Sequence, residues 1–251
     1  TFMTTEQAQK TALVCGGTSG LGAGITSALA ARGLRVIPTS SRMAGSAAGE
    51  ASRLDFRNDE SISNCIDELR AQDALPDVLV INGPGPASGY SHQMSTEDWE
   101  DAFRILWSGP LRLVEALLPV MKQRGWGRVV WVTSVAAQAY MPGMAISTSL
   151  RSGLHGLVRT LSAEYAPFGI TINALAPGYH GTARLKELQV DSSVLNSVPA
   201  GRLGTTAEFG ETAAFLASPD AGYITGQVIT ADGGWSHGLT THMTIQAGVV
   251  G

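Results

Sequence analysis

The sequence predicts a single doubly wound α/β domain, a parallel sheet of about seven strands with helices on both faces. Three observations predict it. Short runs rich in Val and Ile alternate with longer segments of helical period along the chain, the pattern of βαβ units covered on both sides. The chain has 251 residues, 44% of them hydrophobic and only 15% charged, enough for a thick core and too apolar for disorder. No linker, repeat or charge block divides it. Residues 1–251 are therefore read as one domain, with a core over 10–236 and a mostly uncharged tail over 237–251.

The elements follow in order. TALVCGG (11–17) reads as a strand running into glycines, and LGAGITSALAARG (21–33) as a helix that Gly33 ends. LRVIPT (34–39) reads as a second strand whose pairing stops near Ile37, because Pro38 has no N–H for a central ladder. The small, polar segment 40–53 is too poor in large apolar residues for a full crossover helix. A helix over 61–72 is expected, capped by Asp59 or Ser61, then a buried strand DVLVING (77–83). Residues 96–125 form a long helical stretch, bent or broken near Gly109-Pro110. GRVVWVTS (127–134) is a strand, 149–166 a helix, ITINALAPG (170–178) a strand, 207–218 a helix and GQVITADGG (226–234) the last strand.

Composition excludes several classes of function. Lys+Arg 17 against Asp+Glu 21 gives a formal charge of −4, which argues against nucleic-acid binding through a basic face. No run of apolar residues is long enough to span a bilayer, so no membrane segment is expected. TFMTTEQAQK has no apolar stretch after a basic start, so no signal peptide is expected. Only Cys15 and Cys65 carry thiols, which suits a reduced, cytoplasmic protein without a disulfide framework. His92, His237 and His242 lack metal-ligand spacing, and no metal is expected.

Residues 15–22 read CGGTSGLG, between a strand and a helix. In an open α/β sheet this first turn binds a dinucleotide's phosphates. Gly16 permits the tight turn, Gly20 lets backbone approach the pyrophosphate and Gly22 lets the helix pack closely. The helix start with Leu21 offers free N–H groups, and Thr18 and Ser19 add hydroxyls. The alternative is a packing turn with no ligand.

A Gly-x-x-x-Gly-x-Gly turn in a chain of this length resembles the short-chain dehydrogenase/reductase family, and the similarity runs over roughly residues 10–236. LDFRND (54–59) resembles the family segment whose Asp, here Asp55, contacts the adenine. VLVINGP (78–84) resembles the strand ending beside the cofactor, with Asn82 at its tip. GRVVWVTSVAA (127–137) resembles the strand carrying the catalytic serine, here Ser134. INALAPG with Pro177 and Gly178, followed by Thr182, resembles the segment over the nicotinamide and its phosphate. Residues 202–234 resemble the family's last helix and strand. The resemblance implies a Rossmann fold and an NAD(P) cofactor. An acid at the end of the second strand would favour NAD, and a nearby Arg NADP. Ser40, Ser41 and then Arg42 stand there, so NADP(H) is preferred over NAD(H), with a solvated loop as the alternative for Arg42.

The chain departs from that family at its chemistry. The family's Tyr and the Lys one helical turn later correspond here to Ser147 and Arg151, and its relay Asn to Leu106. Slippage cannot restore the Lys, because the only lysines are Lys10, Lys122 and Lys186. An aliphatic hydroxyl is a far weaker acid than a phenol, and Arg stays protonated. Ser134, Ser147 and Arg151 can still hold a carbonyl oxygen or an anion by hydrogen bonds. Tyr140, beyond Ser134, and His180, beyond the sixth strand, are candidate proton donors. Their alternatives are a packing aromatic at the pocket rim and a surface-loop histidine. Tyr179 and Tyr90 are lesser candidates for substrate contact.

Three functions stay open. The first is an NAD(P)-dependent oxidoreductase acting on the carbonyl or alcohol of a small, moderately apolar substrate, its proton donor rewired. The second is a redox-inactive dinucleotide-binding homologue, a sensor or partner subunit. The third is a non-redox enzyme such as a dehalogenase. The resemblance also implies a homo-oligomer, tetramer or dimer, built through the two long helices and the last strand.

Overall fold

A strand directs alternate side chains to opposite faces, so an unbroken apolar run must be covered on both sides. The computed structural model, which describes residues 9–41, 52–187 and 192–237, shows that arrangement. Among the described residues seven parallel strands make one sheet in the order β3-β2-β1-β4-β5-β6-β7. They are β1 (Thr11–Val14), β2 (Arg35–Ser40), β3 (Ser52–Arg53), β4 (Val78–Ile81), β5 (Gly127–Val132), β6 (Ile170–Pro177) and β7 (Val228–Ala231). Leu13, Leu79, Val129, Trp131 and Ile172 face one layer. It is built from α2 (Asp59–Ala71), α4 (Gly109–Arg124) and α5 (Ala145–Tyr165). Ala12, Val14, Val78, Val80, Val130 and Leu175 face the other, covered by α1 (Gly20–Ala31) and α7 (Thr206–Leu216). Helices α1 and α7 touch backbone to backbone: a Cβ on Gly210 would lie 2.3 Å from the Gly24 carbonyl oxygen.

The expected fold class is thus found, with local corrections. β2 pairs through Pro38 and on to Ser40, opposite Val14 and then Ser52–Arg53, rather than stopping near Ile37. The reason lies in which side each residue faces. Arg35 donates to the Lys10 carbonyl and Thr39 accepts from Gly17, so the odd residues face β1. Pro38 faces the other side, where β3 begins only opposite Thr39, and its missing N–H breaks no ladder bond. Helix α2 is capped by Asn58, whose side chain accepts from the Ser61 N–H, and not by Asp59 or Ser61.

The long helical stretch splits into α3 (Thr96–Phe103), a π turn over Arg104–Ser108 and α4. The break therefore precedes Gly109-Pro110, and Pro110 falls in the first turn of α4, where no backbone bond is lost. Helix α5 begins at Ala145, four residues before the expected 149, and so takes Ser147 into its first turn. A short helix α6 (Ala183–Glu187) follows β6, where no helix was expected. No helix among the described residues is long and apolar enough to cross a membrane. Both thiols are free and buried; burial pushes Cys65 up to about 11 and raises Cys15 further.

Candidate active site

The chain places β2 and β3 on one side of β1 and β4 on the other, so the strand order reverses between β1 and β4. At such a reversal the loops leave the carboxyl ends in opposite directions and open a crevice. Four loops meet there: Gly16–Gly22 after β1, Asn82 after β4, Ser134 after β5, and Pro177 with Gly178 at the end of β6.

The glycine turn is held by its neighbours. The Asn82 side-chain amide donates to the Cys15 and Gly16 carbonyls, both at 3.3 Å. Gly17 N–H donates to the Thr39 carbonyl at 3.0 Å, and Gly16 N–H to the Thr39 hydroxyl at 3.3 Å. Gly16 has φ +59°, a conformation costly for any residue with a Cβ. Ser19 is the N-cap of α1 and its side chain makes no capping bond. Among the described residues the N–H groups of Thr18, Ser19, Gly20, Leu21 and Gly22 have no hydrogen-bond acceptor; the first bond into α1 is Ala23 N–H to the Ser19 carbonyl. Gly20 is exposed, and a Cβ there would meet nothing nearer than Thr182 Cγ2 at 3.8 Å. The turn thus presents unpartnered donors to an open space bounded by Thr182, which suits a diphosphate.

Beside it lies a small cleft of about 40 Å³, partly open to solvent, whose lining includes Gly16, Thr39, Ser41, Asp55, Phe56 and Asn82. Asp55 is placed by its own bonds: its N–H donates to the Ser61 hydroxyl, and its carboxylate accepts from the Arg57 N–H. The lining sets the hydroxyls of Thr39 and Ser41 and the Asp55 carboxylate beside the apolar Phe56, a mixture that suits the edge of an adenosine, in a cleft narrower than that whole group. Thr39 and Phe56 were missed from the sequence; their only signal is adjacency to Ser40 and Asp55. Arg42 lies outside the described residues, as does most of the 237–251 tail.

On the other side stand Ser134, Ser147 and Arg151. Ser134 caps a short 3-10 turn, its hydroxyl accepting from the Ala136 N–H at 3.1 Å. Ser147 and Arg151 sit one turn apart on α5, and Arg151 Nη1 donates to Ser147 Oγ at 2.9 Å. Both are buried, Arg151 only 9% exposed. Its Nε has no hydrogen-bond partner, and no carboxylate among the described residues pairs with it. Burial first, then the like charge of Arg184, push its guanidinium down to about 10, still a cation at neutral pH. Arg184, on α6, was also missed; only its place two residues after Thr182 hinted at the site. Leu106, at the expected relay position, is buried in the π turn.

The two candidate proton donors differ sharply in exposure. Tyr140 is 77% exposed and makes no hydrogen bond among the described residues. His180 is not on the surface: it is 6% exposed, edge-on to Phe209, and its ring fills the space left by Gly204, whose Cβ would lie 2.7 Å from it. Its Nδ1 pairs with the Gly178 carbonyl at 3.2 Å. Tyr179 packs edge-on against Trp235.

Burial lowers both His180 and the buried His155, which is also disfavoured as a cation by Arg159. Unfolded histidine titrates near about 6.5. The unfolded chain therefore binds more protons in the acid range, so this stability is present above that pH and is lost as pH falls through it. The melting temperature is expected to drop between about pH 7 and pH 5, and to drop less in His180→Leu. Equal slopes in thermal melts of the two proteins would refute it.

Comparison with known proteins supports the fold and the family. Residues 16–236 match the family described as enoyl-(acyl carrier protein) reductase. The chain is 34% identical over 235 residues to 3-oxoacyl-[acyl-carrier-protein] reductase FabG of Escherichia coli (strain K12), covering 90% of this chain and 96% of that protein. It is 33% identical over 242 residues to acetoacetyl-CoA reductase of Rhizobium meliloti (strain 1021), covering 90% and 98%. A gluconate 5-dehydrogenase from Burkholderia cenocepacia J2315, solved in complex with NADP and tartrate, superposes with a TM-score of 0.84 at 26% identity, covering 92% of this chain and 96% of that one.

Proposed function

This chain belongs to the short-chain dehydrogenase/reductase family, and from that premise we propose that it is an NAD(P)-dependent oxidoreductase with an altered catalytic centre. It acts on the carbonyl or alcohol of a small, moderately apolar substrate. The observation that carries this reading is the row of unpartnered N–H groups from Thr18 to Gly22, facing Thr182 across open space. Relatives named as reductases, and a dehydrogenase solved with NADP, support it. When bound, the dinucleotide supplies or accepts hydride at its nicotinamide ring.

The protein's own residues do the rest. The amides of 18–22 hold the diphosphate, Asp55 faces the adenine, and Asn82 fixes the turn. Pro177, Gly178 and Thr182 border the nicotinamide. Arg151 takes the place of the family's Lys beside the adjoining ribose. Because Ser147 Oγ already accepts from Arg151, its own hydrogen is left to donate to a substrate oxygen, which Ser134 binds from β5. An aliphatic hydroxyl is a weak acid, so the proton comes from water through Ser147 rather than from Tyr140 or His180. The preferred cofactor is NADP(H): Thr39, Ser40 and Ser41 end β2 without a carboxylate to repel its extra phosphate, and Arg42 follows. The protein acts in the cytoplasm as a homo-oligomer.

Titration with NADPH and NADH, followed by coenzyme fluorescence, tests binding. Coenzyme consumption against ketones, aldehydes and enones tests turnover. Ser134→Ala is expected to lower turnover about 100-fold, the usual loss for one oxyanion donor, with coenzyme affinity nearly unchanged. The exchange of phenol and Lys for Ser147 and Arg151 favours a second reading, dinucleotide binding without turnover. Tight coenzyme binding with no consumption across the panel would select it.

A further inference from the structure

Arg151 presents an energetic problem. A cation taken out of water costs several kcal/mol unless an anion meets it. Here the guanidinium is nine-tenths buried; among the described residues its Nε is unsatisfied, its one bond goes to a neutral hydroxyl, and the charge acting on it is another arginine. Arg184 is held in place to do this. Its Nη2 donates to the Pro86 carbonyl at 3.0 Å and the Ser88 hydroxyl at 3.3 Å, and its Nη1 to Glu187 at 3.2 Å. Gly85 makes room for it, since a Cβ there would lie 3.1 Å from Nε and Nη2. The side chain therefore lies across the loop after β4, and that loop is tied to the start of α5, Gly89 accepting from the Ala145 N–H at 3.3 Å, two residues before Ser147. Glu187 neutralises one of the two charges at most, and it is an exposed partner.

We infer that Arg151 and Arg184 form a small-oxyanion site, and that the anion it takes belongs to the substrate: a carbonyl compound bearing a carboxylate close to the reacting carbon. The planar guanidinium, with donors left free, suits a carboxylate. Ser147, bonded to Arg151, then lies where the neighbouring carbonyl oxygen falls. This inference rests on the oxidoreductase reading for what happens to the carbonyl, but not for the binding itself. A second source of the same chemistry is a phosphate of the coenzyme, and the experiment separates the two.

Calorimetry on the full-length protein saturated with NADPH would compare pyruvate, acetoacetate and levulinate, each against its methyl ester. At least one acid is expected to bind about 30-fold more tightly than its ester, a modest charge-assisted gain. Arg184→Gln is expected to erase that ratio while leaving NADPH affinity within about threefold. Arg151→Lys keeps the charge but not the planar fork, and is expected to reduce the ratio in part. Acids that bind no better than esters would overturn the inference. So would an Arg184→Gln variant that loses NADPH affinity and keeps the ratio, which would give the anion to the coenzyme. Selective acid binding without coenzyme consumption would leave this inference standing and sink the oxidoreductase reading alone.

Discussion

Gly22→Ala is expected to abolish dinucleotide binding and destabilise the protein together. A Cβ at this position would lie 2.0 Å from the Gly16 carbonyl oxygen and 2.9 Å from the Asn82 side-chain nitrogen. Neither neighbour can yield. The Gly16 carbonyl accepts from Asn82, and Gly16 and Gly17 are tied by their N–H groups to Thr39. Helix α1 must therefore move outward, carrying the N–H groups of 18–22 with it. Overpacking of this kind costs about 1–3 kcal/mol, or a fall of about 2–12 °C in melting temperature for a chain of this size. Coenzyme Kd is expected to rise at least about 100-fold.

Gly20→Ala is the informative partner. Its Cβ would have room, with Thr182 no nearer than 3.8 Å, so stability falls only by the strain of φ +53°, about 1–2 kcal/mol. The methyl group would nonetheless stand in the space the diphosphate needs. Fluorescence titration beside thermal melts separates the two effects. A Gly22→Ala protein that binds NADPH as tightly as the parent would remove the glycine turn from the binding site.

Arg151→Met is expected to move stability and binding in opposite directions. The substitution keeps much of the volume and removes a buried cation that has no anionic partner among the described residues. Replacing buried charge by a packed apolar chain is often neutral or stabilising by about 1–4 kcal/mol. Against that, Ser147 loses the donor at 2.9 Å, a loss of about 1 kcal/mol. The unfolding midpoint is therefore expected to hold or rise slightly in denaturant titration. Coenzyme affinity is expected to fall about 30-fold, the loss of one or two charge-assisted bonds. A large loss of stability with unchanged affinity would make Arg151 a structural residue instead.

How much of this was legible before folding depends on whether the cause was local. The strands were legible because Val and Ile runs such as VLVI over Val78–Ile81 need only their own neighbours to declare burial. The glycine turn was legible because Gly16 and Gly20 must adopt positive φ, which few other residues do. The start of α5 was not. Met144 offers no capping side chain, and the small polar residues after Ile146 blur the helical period. Pro38 was misjudged because which neighbour a strand residue faces emerges only when the ladder is assembled. His180 looked like a loop residue until Gly204 and Phe209, distant in the chain, closed around it.

From the order of residues alone came the α/β class, the glycine turn with Asn82 and Thr182 near it, and the expectation that Ser147 and Arg151 stand for the family's pair. Those depend on local backbone preferences and on side-chain periodicity, which each segment carries by itself. Only the tertiary structure decided that Arg151 is buried without an anion among the described residues, that Arg184 is tied to the loop after β4, and that Tyr140 is exposed while His180 is buried. Desolvation and the approach of one charge to another are set by groups brought together from far along the chain, and no stretch of sequence holds that information on its own.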